Sequence, residues 1–389
     1  MWFSAERFAP VLNARRQQSA WRESRPWQCA SPTTLAYGDD RLLNFASNDY
    51  LGLARHASIQ QAAVKALQSV GVGSASAALV CGQSYYHTAL EERLAAFLGK
   101  PKALLFNSGY TANVAVLNTF LNAQSAVFQD RLNHASLLEG GLQSGAYFRR
   151  YRHGDMAHLE QLLSQQSRNT LVATDGVFSM DGDTAPLPEI LQLCRQYKAL
   201  LYVDDAHGFG VLGTSGKGIA EHYGIPLAHL PLTMVTLGKA LGVSGAVVVG
   251  DEHLIDYLQQ FAKPYIFTTA MPPAMAAAAL KALELIQEEP WRREKTMALA
   301  RYFRQEAIRL GYTMGPSNTP IQPLIVGTND AALQLSQWLF EQGVLVSAIR
   351  PPTVPQGTSR LRVTITAAHS QTDVDILLGL LAQAAKFQG

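Results

Sequence analysis

The stretch Leu200-Leu201-Tyr202-Val203-Asp204-Asp205-Ala206-His207-Gly208 decides the fold, because an uninterrupted apolar run gives way abruptly to polar residues. A continuous apolar run is typical of a parallel strand that helices cover on both faces. Similar runs predict further strands at Ala103–Phe106, Ala126–Gln129, Leu171–Thr174, Met234–Thr236 and Ala246–Val249. Helical patterns alternate with them at Thr111–Leu121, Ser136–Ser144, Ala157–Gln165, Leu187–Tyr197 and Glu252–Phe261. The sequence therefore predicts an α/β domain with a mostly parallel central sheet flanked by helices.

Two other segments flank this domain. The residues before Ala46 have a mixed helical and loop pattern that ends in a strand-like run at Leu42–Phe45. A long helical region from Pro272 to Leu310 leads into a new pattern of strands and helices, predicted at Ile321–Val326, Ala331–Gln342, Val344–Ile349, Leu361–Thr366 and Gln371–Lys386. We predict an N-terminal arm of residues 1–45, a large domain of residues 46–285 and a smaller C-terminal α+β domain of residues 286–389, joined by the long helix.

Composition excludes several classes of function. The 389 residues carry a net charge of only +2, with basic residues spread along the chain, so nucleic acid is not an expected partner. The three cysteines, Cys29, Cys81 and Cys194, have no metal-type spacing, which argues against a zinc site and favours the cytoplasm. Cys81 and Cys194 lie among apolar residues and are predicted to be buried. The most apolar stretch, Ala270–Ile286, is too short and too interrupted to cross a membrane.

Polar residues follow the predicted strands, at the sheet edge where ligands bind in open α/β folds. They comprise Ser108-Gly109-Tyr110, Asp130 with His134, Asp175 to Ser179, Asp204 to His207, and Thr236 to Lys239. A lysine between glycines, such as Lys239, is by itself more often a surface turn. Asp204 suits a different role, because a carboxylate facing a pyridine nitrogen keeps that nitrogen protonated. Helix capping by the neighbouring Asp205 is the alternative explanation, but a cap does not account for His207.

Several longer motifs carry a family resemblance. They are Ser47-Asn48-Asp49-Tyr50-Leu51-Gly52-Leu53, Asn133-His134-Ala135-Ser136, Val177-Phe178-Ser179-Met180-Asp181-Gly182-Asp183, Asp204-Asp205-Ala206-His207-Gly208 and Gly238-Lys239. Together they resemble the α-oxoamine synthases, a branch of the fold-type I pyridoxal-phosphate enzymes, over nearly the whole chain. The resemblance implies a fold-type I transferase, pyridoxal 5'-phosphate as cofactor, and a cytoplasmic homodimer. It also implies an acyltransferase that condenses an amino acid with an acyl thioester and releases carbon dioxide.

The resemblance assigns roles to individual residues. It implies that Lys239 carries the cofactor as a Schiff base, that Asp204 pairs with the ring nitrogen, and that His134 stacks on the ring. The predicted catalytic residues are these three and His207. The remaining predicted cofactor contacts are His207 and Ser179 at the ring hydroxyl, and the backbone of Gly109 and Tyr110 with the Thr236 hydroxyl at the phosphate. Thr268 and Thr269 resemble a segment that reaches the partner subunit's active site.

Two C-terminal stretches bear on the substrate. Arg350-Pro351-Pro352-Thr353-Val354-Pro355 and Arg360-Leu361-Arg362 resemble the branch of the family that condenses L-alanine with pimeloyl-CoA or a pimeloyl-acyl-carrier protein. Arg362 matches the position that holds the amino-acid carboxylate, and Arg22, Thr353 and His134 match substrate contacts. A glycine-using α-oxoamine synthase and, less well supported, a fold-type I aminotransferase stay open as alternatives. Coenzyme A and carrier-protein thioesters are not distinguished.

The basic cluster of Arg149, Arg150, Arg152 and His153 has two interpretations. These side chains suit the phosphates of coenzyme A or the surface of an acidic carrier protein. A solvated charged face is the more common reason for such a run, and we favour it.

Overall fold

A computed structural model of the protein describes residues 4–17, 21, 23–351 and 353–388. Its strands are β1 Gln28–Ser31, β2 Thr34–Tyr37, β3 Asp40–Asn44, β4 Lys102–Phe106, β5 Ser125–Asp130, β6 Tyr147–Tyr151, β7 Asn169–Asp175, β8 Leu200–Asp204, β9 Leu232–Thr236, β10 Ala246–Gly250, β11 Thr313–Met314, β12 Ile321–Gly327, β13 Val344–Leu345, β14 Ser347–Ile349 and β15 Ser359–Thr364. Its α-helices are α1 Ala9–Gln17, α2 Ala57–Val70, α3 Tyr85–Phe97, α4 Gly109–Phe120, α5 Ala135–Gln143, α6 Met156–Ser164, α7 Leu187–Gln196, α8 Ile219–His222, α9 Glu252–Phe261, α10 Lys263–Ile266, α11 Pro273–Glu288, α12 Trp291–Arg309, α13 Asn329–Glu341 and α14 Gln371–Gln388.

A seven-stranded sheet forms the centre of the molecule, in the order β4-β10-β9-β8-β7-β5-β6. Strand β10 is antiparallel to both of its neighbours, and the other adjacent strands are parallel. The six predicted strands all lie in this sheet, each within two residues of its predicted bounds. Because β5, β7, β8 and β9 run in one direction, their last residues, Asp130, Asp175, Asp204 and Thr236, lie along the same edge.

The strand β6 was not predicted, and it forms one edge of the central sheet. Arg149 and Arg150 are exposed on it, as the solvated interpretation of the basic cluster requires. Charged side chains on an edge strand discourage pairing with other chains. His153 differs from these arginines, because its two ring nitrogens lie 2.9 Å from Asp130 Oδ1 and 2.8 Å from Asp183 Oδ2.

The C-terminal region builds a second sheet, in the order β11-β12-β15-β14, with antiparallel neighbours throughout. Its core packs Leu361 and Val363 of β15 against Phe303 of α12 and Leu377 of α14. The prediction of one long helix leading into this region is wrong, since α11 and α12 are separate helices. Pro290 lies between them, and proline removes a backbone donor that a continuous helix needs.

The N-terminal arm contains more structure than predicted. Strands β1, β2 and β3 form an antiparallel meander, and β3 then pairs in parallel with β13 through Leu43 and Val344. The arm is thereby joined to the C-terminal region by backbone hydrogen bonds. The predicted boundaries after residues 45 and 285 stay predictions.

Two smaller predictions have mixed outcomes. Cys194 is buried, as predicted, but Cys81 is exposed and its prediction is wrong. Cys81 lies in a short π-helix, Ala78–Gly82, where the apolar neighbours Leu79 and Val80 are exposed too. None of the helices within the described residues combines the length and the apolar composition that a membrane crossing requires.

Candidate active site

A cavity of about 170 Å³ opens at the carboxyl edge of the central sheet. Its lining contains all eight residues predicted to bind the cofactor. They are Gly109, Tyr110, His134, Ser179, Asp204, His207, Thr236 and Lys239. Residues from five strand ends thus meet in one place, as the arrangement of polar residues after strands predicted.

Lys239 lies at one end of a chain of hydrogen bonds. Its Nζ is 2.8 Å from His207 Nε2, and His207 Nδ1 is 2.6 Å from the hydroxyl of Tyr50. Burial lowers the pKa of Lys239 to about 8 and holds the pKa of His207 well below its ordinary value. His207 is therefore neutral at pH 7. We infer that Lys239 donates to Nε2 and that Nδ1–H donates to Tyr50, since an ammonium group has no acceptor.

Asp204 is held rigidly at the end of β8. Its Oδ1 accepts from the backbone N–H of Ala206 at 3.0 Å, and its Oδ2 accepts from Asn113 Nδ2 at 2.7 Å. Tyr202 in turn donates its hydroxyl to Asn113 Oδ1 at 2.6 Å, which fixes the orientation of the amide. Both oxygens of this buried carboxylate are satisfied, so it can keep a negative charge in the cavity. Its neighbour Asp205 instead accepts from the Ile219 N–H, as a structural contact.

His134 is the N-cap residue of helix α5 and lines the same cavity. Its Nδ1 is 2.7 Å from Ser136 Oγ, and its backbone N–H donates to Asp175 Oδ2 at 2.9 Å. Burial lowers the pKa of His134, and the charge of Asp204 opposes this only in part. The ring is therefore neutral at pH 7, a state suited to stacking on an aromatic ligand.

The first turn of α4 forms another wall of the cavity. Ser108 caps this helix by accepting from the Thr111 N–H at 3.1 Å, and the helix begins at Gly109. Backbone amides in the first turn of a helix have no intrahelical acceptor and attract anions. A Cβ at Gly109 would lie 3.2 Å from Met234 Cε, so glycine permits close packing there. Thr236 lines the cavity with its hydroxyl donating to Gly245 O at 3.1 Å.

Arg362, on β15 of the second sheet, does not line the cavity but contacts Ser179, which does. It is 6% exposed, and its Nε donates to the backbone oxygen of Ser179 at 2.6 Å. Both terminal nitrogens donate to Asn48 Oδ1, at 3.3 and 3.2 Å. Tyr50 donates to the same oxygen at 3.4 Å. A continuous polar network therefore connects Lys239 with Arg362 through His207, Tyr50 and Asn48.

The other residues predicted to belong to the substrate site or to the partner subunit's site have different outcomes. Arg22 lies outside the described residues. Thr353 lies on an exposed turn after β14, where its N–H donates to Arg350 O at 3.0 Å, and it does not line the cavity. Thr268 and Thr269 border a neighbouring small pocket, and Asn107 donates to Thr269 O at 2.9 Å. All four roles stay predictions.

Four polar side chains at the site have no role predicted from the sequence. They are Tyr50, Asn113, Ser136 and Asp175. Tyr50 and Ser136 stand within the motifs that carry the resemblance, and Asp175 directly follows the predicted strand Leu171–Thr174, so each had a signal. Asn113 had none, because only the packing of α4 on the sheet brings it to Asp204.

The residues present fit pyridoxal phosphate. A buried amine, an anchored carboxylate, a neutral imidazole and a helix N-terminus line one cavity, as an aldehyde, a pyridine nitrogen, a ring face and a phosphate require. The fold and this cavity define a fold-type I pyridoxal-phosphate enzyme.

Comparison with known proteins narrows this class. The family model described as aminotransferase class I and II matches residues 40–381. An 8-amino-7-oxononanoate synthase from Methylococcus capsulatus is 51% identical over 377 residues, which are 97% of each chain. The chain therefore belongs to the aminotransferase class I and II family and, within it, to the family of the 8-amino-7-oxononanoate synthases.

Solved structures agree with this assignment. A serine palmitoyltransferase variant from S. paucimobilis with a bound PLP-myriocin aldimine is 26% identical, with a TM-score of 0.93 and 98% of both chains covered. An 8-amino-7-oxononanoate synthase from Francisella tularensis is 29% identical, with a TM-score of 0.78, over 89% of this chain and 98% of that one. These findings confirm the predicted fold class, cofactor, acyltransferase class and family.

Proposed function

We propose that the protein condenses L-alanine with a pimeloyl thioester, releasing carbon dioxide and the thiol, to give 8-amino-7-oxononanoate for biotin biosynthesis. The observation that carries this proposal is the buried arrangement of Lys239, His207 and Asp204 in a chain about 50% identical to synthases named for that product. The cytoplasm is the compartment we propose.

Eight residues of the cavity have a task in this proposal. Lys239 holds the cofactor, Asp204 its ring nitrogen and His134 its ring face. The remaining contacts are Ser179 and His207 at the ring hydroxyl, and Gly109, Tyr110 and Thr236 at the phosphate. When bound, pyridoxal phosphate supplies an electron sink that stabilises a carbanion at the α carbon of the amino acid.

The amino acid needs a carboxylate partner and a base. Arg362 is suited to the carboxylate, because its planar group presents several donors and Ser179 O and Asn48 already fix its orientation. Lys239 is suited to remove the α proton, since burial brings its pKa to about 8, near the operating pH of an enzyme. His207, neutral and 2.8 Å from that amine, can exchange a proton with it.

The test is a set of reactions with the purified, cofactor-loaded protein. L-alanine or glycine is combined with pimeloyl-CoA or with pimeloyl-acyl-carrier protein, and the amino ketone is identified by mass while carbon dioxide is measured. We expect 8-amino-7-oxononanoate from alanine, with the two thioester reactions showing which carrier is used. Faster product formation from glycine would support the glycine-using alternative. Amino transfer to a keto acid without carbon dioxide would support an aminotransferase.

We also propose a homodimer. Val72, Val80, Tyr85 and Phe267 are each 78–80% exposed, and large apolar side chains left open in this way are typical of a protein interface. The segments that bear them adjoin, because Ala77 forms a β-bridge with Thr269. A dimer across this surface would bring the segment of Thr268 and Thr269 to a partner subunit.

Light scattering during gel filtration tests this proposal. Phe267→Asp places a charge in the proposed interface and should shift the mass towards the monomer. Ile376→Asp changes an exposed apolar residue of α14, outside this surface, and should leave the mass unchanged. An unchanged mass in both variants would argue against this interface.

A further inference from the structure

The mechanism above leaves one buried acidic group of the cavity without a task. Asp175 ends strand β7, is 3% exposed and lines the cavity. It stands directly opposite Asp204 in the register of β7 and β8. Neighbouring strands lie about 4.8 Å apart, so two carboxyl groups share one buried space.

The two carboxyl groups differ in their hydrogen bonds. Both oxygens of Asp204 have donors, whereas Asp175 has one donor, the backbone N–H of His134 at Oδ2. Its Oδ1 is buried and has no hydrogen-bond partner among the described residues. A bare oxygen on a buried carboxylate is costly, but a protonated Oδ1 becomes a donor that a ligand in the cavity can satisfy.

The surrounding charges also favour a protonated Asp175. Asp204 and, farther off, Asp130 add negative charge around Asp175, while Lys239 is the cation that opposes them. Burial raises the pKa of Asp175 well above its ordinary value, the charge of Asp204 raises it further, and Lys239 and the His134 amide offset this only in part. Two adjacent buried carboxyl groups share their charge most cheaply when one of them keeps its proton.

We propose that Asp175 is a neutral carboxylic acid that accepts the His134 N–H at Oδ2 and donates a hydrogen bond from Oδ1 into the cofactor cavity. It is a positioning residue for His134, and it leaves the single negative charge on Asp204. The inference rests on the proposed function in that pyridoxal phosphate is the ligand of the cavity.

Asp175→Asn is the matched variant, because an amide keeps one oxygen to accept from His134 and one N–H group to donate. In the infrared spectrum of the full-length protein, we expect a band of a protonated carboxyl group that disappears in Asp175→Asn. The band should persist in Asp330→Asn, which changes an exposed aspartate at the start of α13. A spectrum in which Asp175→Asn removes only carboxylate bands would overturn the proposal.

The second measurement is the affinity for pyridoxal phosphate. We expect Asp175→Asn to change the dissociation constant by no more than about threefold, and Asp175→Ala to weaken binding by about tenfold or more, because alanine removes both hydrogen bonds. Equal losses in both variants would contradict a neutral donor. If the unmodified protein fails to bind the cofactor, the proposed function fails, while the infrared band of the cofactor-free protein still reports the protonation of Asp175.

Discussion

The two main sheets of the molecule bury charged side chains of opposite sign. The carboxyl edge of the seven-stranded sheet gathers acidic side chains from parallel strands, including Asp130, Asp175 and Asp204. The antiparallel sheet of the C-terminal region instead buries Arg360 and Arg362 two residues apart on β15. Parallel strands bring the residues at their carboxyl ends together at one edge of the sheet. In the second sheet, Arg360 and Arg362 lie two residues apart on β15 and therefore share one face of the strand. The proposed site uses both sheets, because its acidic side chains come from one and Arg362, proposed to bind the amino-acid carboxylate, comes from the other.

The largest expected effect comes from a substitution at the carboxyl edge of the seven-stranded sheet. Lys239→Ala removes the amine that we propose holds the cofactor and serves as base, and we expect turnover to fall by about 10⁴-fold or more. Steady-state rates of amino ketone formation measure the loss. Lys65→Ala changes an exposed lysine of α2 and should leave the rate unchanged. Retention of full activity in Lys239→Ala would refute the role of this lysine.

A core substitution in the second sheet should affect stability. Leu361 is fully buried on β15, between the two arginines, so Leu361→Ala should reduce the free energy of unfolding by about 2–5 kcal/mol. Urea unfolding measures the change. Ile376→Ala, at a site 47% exposed, should cost about 0.5 kcal/mol or less. Equal losses in the two variants would show that the core of this sheet is not packed as described.

Arg362→Lys tests the proposed carboxylate-binding role of the arginine that the second sheet contributes. Lysine cannot present two donors in a plane, so we expect the KM for alanine to rise by about 10–100-fold with a smaller change in kcat. Arg304→Lys is the control, because Arg304 donates to Gly315 O, away from the cavity. A fall in kcat at an unchanged KM would assign Arg362 to a later step.

The smallest expected effect concerns His153, beside the acidic edge. Burial alone would lower its pKa, but its hydrogen bonds to Asp130 and Asp183 raise the pKa to about 10. A folded-state pKa above the unfolded value stabilises the fold fully below about pH 6.5 and loses that contribution as pH rises towards 10. His153→Gln should therefore cost about 1 kcal/mol at pH 6 and less at pH 10. His253→Gln, at an exposed site, serves as control, and a pH-independent loss in His153→Gln would indicate a neutral ring.

The sequence predicted the central sheet more closely than the regions around it. Runs such as Leu200–Asp204 are buried on both faces, and burial produces the apolar signal that sequence reading detects. Strand β6 escaped detection because its exposed edge carries arginines in place of apolar residues. Strands β1 and β2 of the N-terminal arm have only four residues each, too few to give a clear pattern in the sequence.

The site divides in the same way. Asp204 ends β8, and His134, His207 and Lys239 come within four residues of a strand end, so the direction of the sheet brings them together. The contact of Asn113 with Asp204 depends on how α4 packs on the sheet, and the local sequence does not determine that packing.

Strand β3 can pair with β13 only after the ribosome has synthesised most of the chain. Leu43 of β3 is paired with Val344 of β13, which comes about 300 residues later in the chain. At typical translation rates of about 5–20 residues per second, the exposed edge of β3 waits roughly 15–60 s for its partner to leave the ribosome. During that interval the emerging N-terminal meander has an open strand edge, a surface on which nascent chains on neighbouring ribosomes can associate and which chaperones can cover.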